Sequence, residues 1–261
     1  MLTIGTSGWQ YRDWRPPKTG AEDRPYLYPA GLAQRRWLEH YATRFAVVEI
    51  NNAFYRLPER ETFRRWRETT PADFEYAVKM SRYLTHIKRL KDPAEPVGRF
   101  LERAEALGDK LGPVLLQLPP SLRADPAALD ETLSAFPRSV RVAVEPRHDT
   151  WFTDEVRDLL RRHGAALCWA DRRGRPITPL WRTADFGYLR LHEGRANPWP
   201  RYGRASLSAW LDRIGTELPR VPVYVFFNND PGGAAVIDAD AMGRLARTRG
   251  WTVTSPRSED R

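Results

Sequence analysis

Five residues able to bind charge or move protons stand at the ends of short apolar runs: Glu49 in VVEINN, Lys79 ending FEYAVK, Glu145 ending RVAVE, and Arg190 and His192 in GYLRLH. Side chains alternate between the two faces of a strand. If Val48, Ile50, Leu189 and Leu191 take the outer face, the inner one receives Glu49 and Asn51, Ala77 and Lys79, Gln117, Ala143 and Glu145, and Arg190 and His192. Ions buried without partners cost several kcal/mol each, so these charges must compensate one another or meet water and ligand. Either carboxylate can then serve as general base, with His192 moving a proton near neutrality. A Schiff-base role for Lys79 is disfavoured, because carboxylates nearby would hold its charge.

Two other readings of the same residues stand beside this one. The four ions can form a purely structural network that fixes strand register. Glu49, Glu145, His148, Asp171 and His192 can also be read as metal ligands, although Lys79 and Arg190 would repel a cation and no H-E-x-x-H or paired cysteines occur. We therefore expect no metal and no cofactor. A glycosidase would need two carboxyl groups flanking the bond, and spacing along the chain does not give that separation.

The elements that must position these residues alternate from end to end. Strands are expected at 2–6, 46–51, 74–79, 114–118, 140–145, 166–169, 187–192 and 223–228, and helices at 32–44, 59–69, 96–111, 126–136, 154–163, 206–218 and 234–248. Only the unit after the sixth strand, RRGRPITPLWRTAD, lacks a helical pattern. Eight alternating strands without a G-x-G-x-x-G predict the α/β class and a single (β/α)8 TIM-type barrel, whose chemistry lies where strands end. We expect one domain over 1–253 and a polar, frayed tail over 254–261.

Two long loops, after strands one and seven, are rich in aromatics: Trp9, Tyr11, Trp14, Tyr26 and Tyr28 in the first, and Trp199 and Tyr202 among Arg195, Arg201 and Arg204 in the second. Such loops either close over a ligand or cap the barrel as a satellite core. The chain has 261 residues and a net charge of +9, with only five lysines among its 42 basic residues. That charge favours a small anionic or sugar-like ligand and allows weak, nonspecific nucleic-acid binding. The excess is too spread out for a dedicated polyanion groove. The single cysteine, Cys168, suits a reducing compartment, and no apolar run reaches membrane-spanning length, so a cytoplasmic protein without membrane contact is expected. Nothing in the sequence fixes an oligomeric state.

The segments GTSGWQYRDW, EINNAFYRLP, FEYAVKMSRYLTH, LLQLPP, VEPRHDTW, YLRLH and VYVFFNND occur in the order and spacing of the YecE-like proteins, a family of unknown function numbered seventy-two. The chain resembles that family over nearly its whole length. The resemblance implies a TIM barrel whose strand ends gather Ser7, Trp9, Tyr11, Glu49, Asn51, Phe54, Tyr55, Lys79, Thr85, His86, Gln117, Glu145, Arg147, His148, Trp151, Arg190, His192, Asn228 and Asn229. One departure is visible: Glu193 stands between His192 and Gly194, where family members usually have glycine directly after histidine. The expectation is an enzyme-like barrel that binds a small phosphorylated, nucleotide-like or sugar ligand and catalyses hydrolysis or proton transfer. A nucleic-acid-binding barrel with merely structural interior charges, and a non-catalytic scaffold, are the alternatives.

Overall fold

Apolar strands and amphipathic helices alternate because each helix can bury its stripe only against the outer face of a neighbouring strand. A computed structural model describes residues 1–17 and 26–256. Its strands are β1 (Leu2–Thr6), β2 (Val47–Ile50), β3 (Glu75–Lys79), β4 (Leu111–Gln117), β5 (Val142–Glu145), β6 (Ala166–Arg172), β7 (Arg175–Pro176), β8 (Gly187–Leu191) and β9 (Val223–Phe227). Eight of them pair in parallel around a closed ring, with β5 against β6 and β9 against β1 completing the circle. The two-residue β7 only folds back antiparallel on β6.

Helices α1 (Trp37–Ala42), α2 (Asn52–Tyr55), α3 (Arg60–Thr69), α4 (Ala94–Ala104), α5 (Pro126–Ser134), α6 (Asp154–His163), α7 (Arg204–Glu217) and α8 (Ala234–Thr248) fill the connections. Their ends follow local chemistry. Thr153 caps α6 by accepting from the Val156 N–H, while Asp154 and Glu155 sit in its first turn and three basic residues in its last. The connection from β6 to β8 has no helix among its residues, as its sequence pattern predicts. The helix expected over 96–111 instead stops at Ala104 and tightens into a 3-10 segment, Glu105–Lys110, around Gly108 at φ 57°.

Inside the ring, Val47, Ala77, Leu115, Ala143, Cys168, Tyr188, Tyr224 and Phe226 form a dry inner core, while Val48, Ile50, Leu189 and Leu191 join the larger core under the helices. The alternation inferred from sequence thus holds strand by strand. Cys168 is fully buried, and burial pushes its thiol well up, so it is inert. No helix among the described residues is long and apolar enough to cross a membrane.

The start of the expected tail is tied down: Val253 bridges Leu2, and the Thr254 N–H donates to the Leu2 carbonyl at 2.8 Å. Residues 257–261 of that tail, and 18–25 of the first long loop, lie outside the described residues.

Candidate active site

At the strand ends the inner core turns ionic. Arg190 on β8 is 2% exposed and donates from Nη2 to Glu49 Oε1 at 2.8 Å and from Nη1 to Glu145 Oε2 at 2.7 Å. Glu49 also accepts from Ser7 Oγ (2.8 Å) and from the Tyr188 hydroxyl (2.6 Å). Burial alone would raise both carboxyls, but Arg190 and these donors outweigh it and hold both below the ordinary range. Neither is available as a protonated general acid near neutrality, which removes the paired-carboxyl requirement of a glycosidase.

Glu145 Oε1 also receives His192 Nε2 at 2.8 Å and Arg147 Nη2 at 2.8 Å, and this second guanidinium completes the balance that Arg190 alone leaves one charge short. With Asn228 donating Nδ2 to His192 Nδ1 at 3.0 Å, the imidazole carries its proton on Nε2. Burial lowers the pKa of His192 despite Glu145, so it is neutral near pH 7. On the β3 side, Lys79 Nζ donates to Gln117 Oε1 at 2.5 Å and lies 4.0 Å from the centroid of the Phe54 ring. Both carboxylates face Arg190 instead of Lys79. Burial and the Arg190 charge bring the ammonium down to about 8, outweighing Glu49 and Glu145, so the carboxylates hold its charge less firmly than expected although it remains mostly a cation at pH 7.

Lys79, Arg147 and Arg190 together exceed Glu49 and Glu145 by one positive charge. Buried polar atoms here without a hydrogen-bond partner among the described residues include Arg147 Nε, Asn51 Oδ1 and Asp230 Oδ1. Asp230, after β9, lies against Tyr11, and burial raises its carboxyl to about 7, so it adds only part of a negative charge. The cluster is narrow. Lys79 is 9% exposed, and the His192 side chain 14%.

Of the residues expected to bind ligand, the structure gathers Ser7, Asn51, Gln117, Arg147, Arg190 and Asn228 with the proposed catalytic set Glu49, Lys79, Glu145 and His192. The Tyr11 hydroxyl donates to the Ser7 carbonyl at 2.6 Å and so tethers the first loop to the site. Others build the frame. Trp9 is buried edge-on against Trp66, Trp14 is 1% exposed with its indole N–H on the Asp230 carbonyl, and Tyr28 stacks on Trp37. The first loop's described rings therefore cap the barrel, and Trp14 cannot stack on a base. His148 caps its own turn by accepting from the Thr150 N–H, Asn229 holds Asp238 and the Pro200 carbonyl, and Tyr55 is 73% exposed.

Tyr202 is buried and donates to Asp171 Oδ1 at 2.5 Å, the same oxygen that receives the His192 backbone N–H at 2.9 Å. Trp199 sits on Gly232, where φ of 67° and the nearness of the indole exclude a side chain. Gly194 likewise has no room for a Cβ beside the Arg201 backbone. The N–H of Glu193, which stands between His192 and Gly194, donates to the Tyr202 hydroxyl at 3.0 Å. In the second loop Arg195 donates to the Arg173 carbonyl and Arg201 approaches Asp238.

Sequence reasoning missed Tyr188 and Asp230. Tyr188 shares the parity of Arg190 and His192 and was findable. Asp230 lies against Tyr11 and Trp14 of the first loop, a contact that the strand pattern does not reveal. Of the five candidate metal ligands, Glu49 and Glu145 face Arg190 and His148 serves a turn; among the described residues no three His, Cys, Asp or Glu side chains gather as a metal site.

Fold and site together define a (β/α)8 barrel with an ionic cluster at the ends of its strands. The chain belongs to the family described as protein of unknown function DUF72, whose model matches residues 3–260. It is 23% identical to the UPF0759 protein YunF of Bacillus subtilis (strain 168), covering 94% of each chain. A solved DUF72 family protein from Thermotoga maritima MSB8 is 29% identical, with a TM-score of 0.78 over 95% of this chain and 99% of that one. D-psicose 3-epimerase with D-tagatose, from Clostridium cellulolyticum H10, matches with a TM-score of 0.50 at 12% identity, over 92% of this chain and 89% of that one. That last likeness is one of fold alone.

Proposed function

We propose that the protein is an enzyme that binds a small anionic organic ligand at the ends of its barrel strands and transfers a proton on it. One observation carries this reading: Arg190 and Arg147 together balance Glu49 and Glu145, and Lys79 stands in the same cluster as one cation over, with an amide oxygen and no carboxylate against it. A structural network would close its charges; this one leaves the Lys79 ammonium over. Proton transfer is favoured over hydrolysis because both carboxylates are locked in ionised form, whereas burial leaves His192 neutral and brings the Lys79 ammonium down to about 8.

Calorimetric titration tests the reading with lactate and ribose 5-phosphate as probes and glycerol as the uncharged control. At least one anion binds, and Arg147→Ala weakens it by about tenfold or more, the scale of a lost charged hydrogen bond. Binding of neither anion, or no effect of Arg147→Ala, sinks it. Single-stranded DNA is expected to bind only in the micromolar range or weaker, with log affinity falling as log salt rises. Anisotropy titrations at two salt concentrations check this, and nanomolar binding that survives salt would reverse the ranking.

A further inference from the structure

Lysine is scarce in this chain, and where a fixed cation is needed it uses arginine. Arginine cannot give up its proton under ordinary conditions; lysine can. Among the described lysines, Lys88 pairs with Asp92 at 3.1 Å, and Lys110 donates to the carbonyls of Arg67 and Thr70 at the far end of the barrel. Lys91 is exposed. Lys79 alone ends a barrel strand inside the ionic cluster, held by one amide oxygen and an aromatic face. A desolvated amine beside a second cation is the environment that makes a lysine nucleophilic.

We propose that Lys79 condenses with the carbonyl group of its ligand, which is therefore a small oxo compound bearing a carboxylate or phosphate, such as an oxo acid. This rests on the anion-binding reading above and narrows it. The neutral Nζ adds to the carbonyl carbon, forming a C–N bond and a carbinolamine. Nitrogen then gives up its proton, the former carbonyl oxygen leaves as water, and a C=N bond remains; amine plus carbonyl equals imine plus water, with no oxidant or reductant needed. Protonated, the imine acidifies the neighbouring C–H, and neutral His192 can take that proton only at Nδ1, where it would displace the Asn228 amide. Arg147, its Nε without a partner among the described residues, is the group that would hold the anion.

Three features support the chemistry. A lysine titrating near 8 is about one-quarter neutral at pH 7.5, against about one part in a thousand at its ordinary 10.5. Glu49 and Glu145 do not compete for Nζ, since Arg190 holds both. His86 packs edge-on to Phe54 at 4.8 Å, the ring that also carries Lys79, and burial with the Lys79 charge keeps its imidazole neutral. His86 stands in a π-helical turn, Tyr83–Ile87, a distortion frequent at functional sites.

Borohydride trapping decides the matter. Wild-type protein is incubated with pyruvate or glyoxylate, reduced, digested and mapped by mass spectrometry, while thermal shifts with pyruvate and with lactate are read in parallel. The expected result is a reduced adduct on Lys79, about tenfold or more above Lys88 and Lys91 given the difference in neutral fraction, with labelling rising through pH 8. Lys79→Met and Lys79→Arg both abolish it; the arginine variant keeps charge and bulk, so a folding defect in the methionine variant does not blur the outcome. Stabilisation by lactate and pyruvate without an adduct on Lys79 overturns condensation and leaves anion binding standing. Labelling spread evenly over the lysines overturns condensation as well. No stabilisation and no adduct overturns both.

Discussion

The two ends of the barrel both bury charge, and they do so differently. At the strand N-termini, Lys110 is 6% exposed and satisfied by the Arg67 and Thr70 carbonyls and Thr70 Oγ1, while Arg141 and the Tyr224 hydroxyl both serve Glu75. At the strand C-termini, Lys79 has a single amide partner, and Arg147 Nε and Asn51 Oδ1 have none among the described residues. A hollow of about 670 Å³ lies at the N-terminal end, yet Arg60 and Arg67 there pair with Glu105 and Asp109. Neither the presence of buried ions nor the size of a cavity separates the proposed site from the opposite end of the barrel. What distinguishes them is whether the polar groups are already used up.

Replacing the central arginine of each end gives the largest contrast. Arg190→Met strands Glu49 and Glu145 in the barrel interior and is expected to cost about 3–5 kcal/mol. Arg141→Met at the other end removes a pair whose side chains are 39% and 32% exposed, for about 1 kcal/mol or less. Urea denaturation of the two variants reads the difference directly. Equal losses would mean that the C-terminal cluster carries no more strain of burial than an ordinary edge pair.

The two buried lysines sharpen the comparison at a smaller scale. Lys110→Met leaves the carbonyls of Arg67 and Thr70 without their donor and should cost about 1–3 kcal/mol. Lys79→Met removes a desolvated cation held only by one amide oxygen and the Phe54 ring, so stability should stay within about 1 kcal/mol while anion binding disappears. A large loss of stability at Lys79 with binding intact would return that end of the barrel to a structural reading.

Much of this contrast was legible from residue order. The period-two alternation in VVEINN and GYLRLH set Glu49 and Arg190 on one face, and the barrel then forces inner-face residues from β2, β5 and β8 to converge. Loop side chains follow no such rule. Trp9 and Trp14 look like ligand platforms in sequence because aromatics stack, but nothing in GWQYRDW says that the first loop turns its rings down onto Trp66 and Asp230. The same blindness hid Asp230. It also cast His148 as a site residue when its Nδ1 closes a local turn. Helix ends were clear where cap and charge agree, as in α6, and lost where Gly108 breaks a continuing helical pattern beside the Arg67 guanidinium.

The smallest expected effect separates the two loops that cover the site, and it depends on pH. Asp171 is fully buried; its carboxyl, raised by burial to about 6 although Tyr202 and the His192 N–H oppose the rise, ties the second loop to β6. Between the ordinary carboxyl value near 3.8 and about 6, the folded protein holds a proton there that the unfolded chain has released. Asp171 therefore makes stability fall as pH rises through that window. Lys79 acts with the opposite slope higher up: between about 8 and 10.5 the unfolded chain holds the proton that the folded protein has lost, so its contribution rises with pH. In Asp171→Asn the fall between pH 4.5 and 6.5 should shrink by about 1–2 kcal/mol relative to wild type, with the slope above pH 8 unchanged. Urea midpoints at pH 4.5, 6.5, 8 and 9.5 measure both. A variant whose curve runs parallel to wild type at every pH would show that Asp171 stays ionised in the folded protein, and that the second loop is held at a fixed charge as firmly as the ionic cluster beneath it.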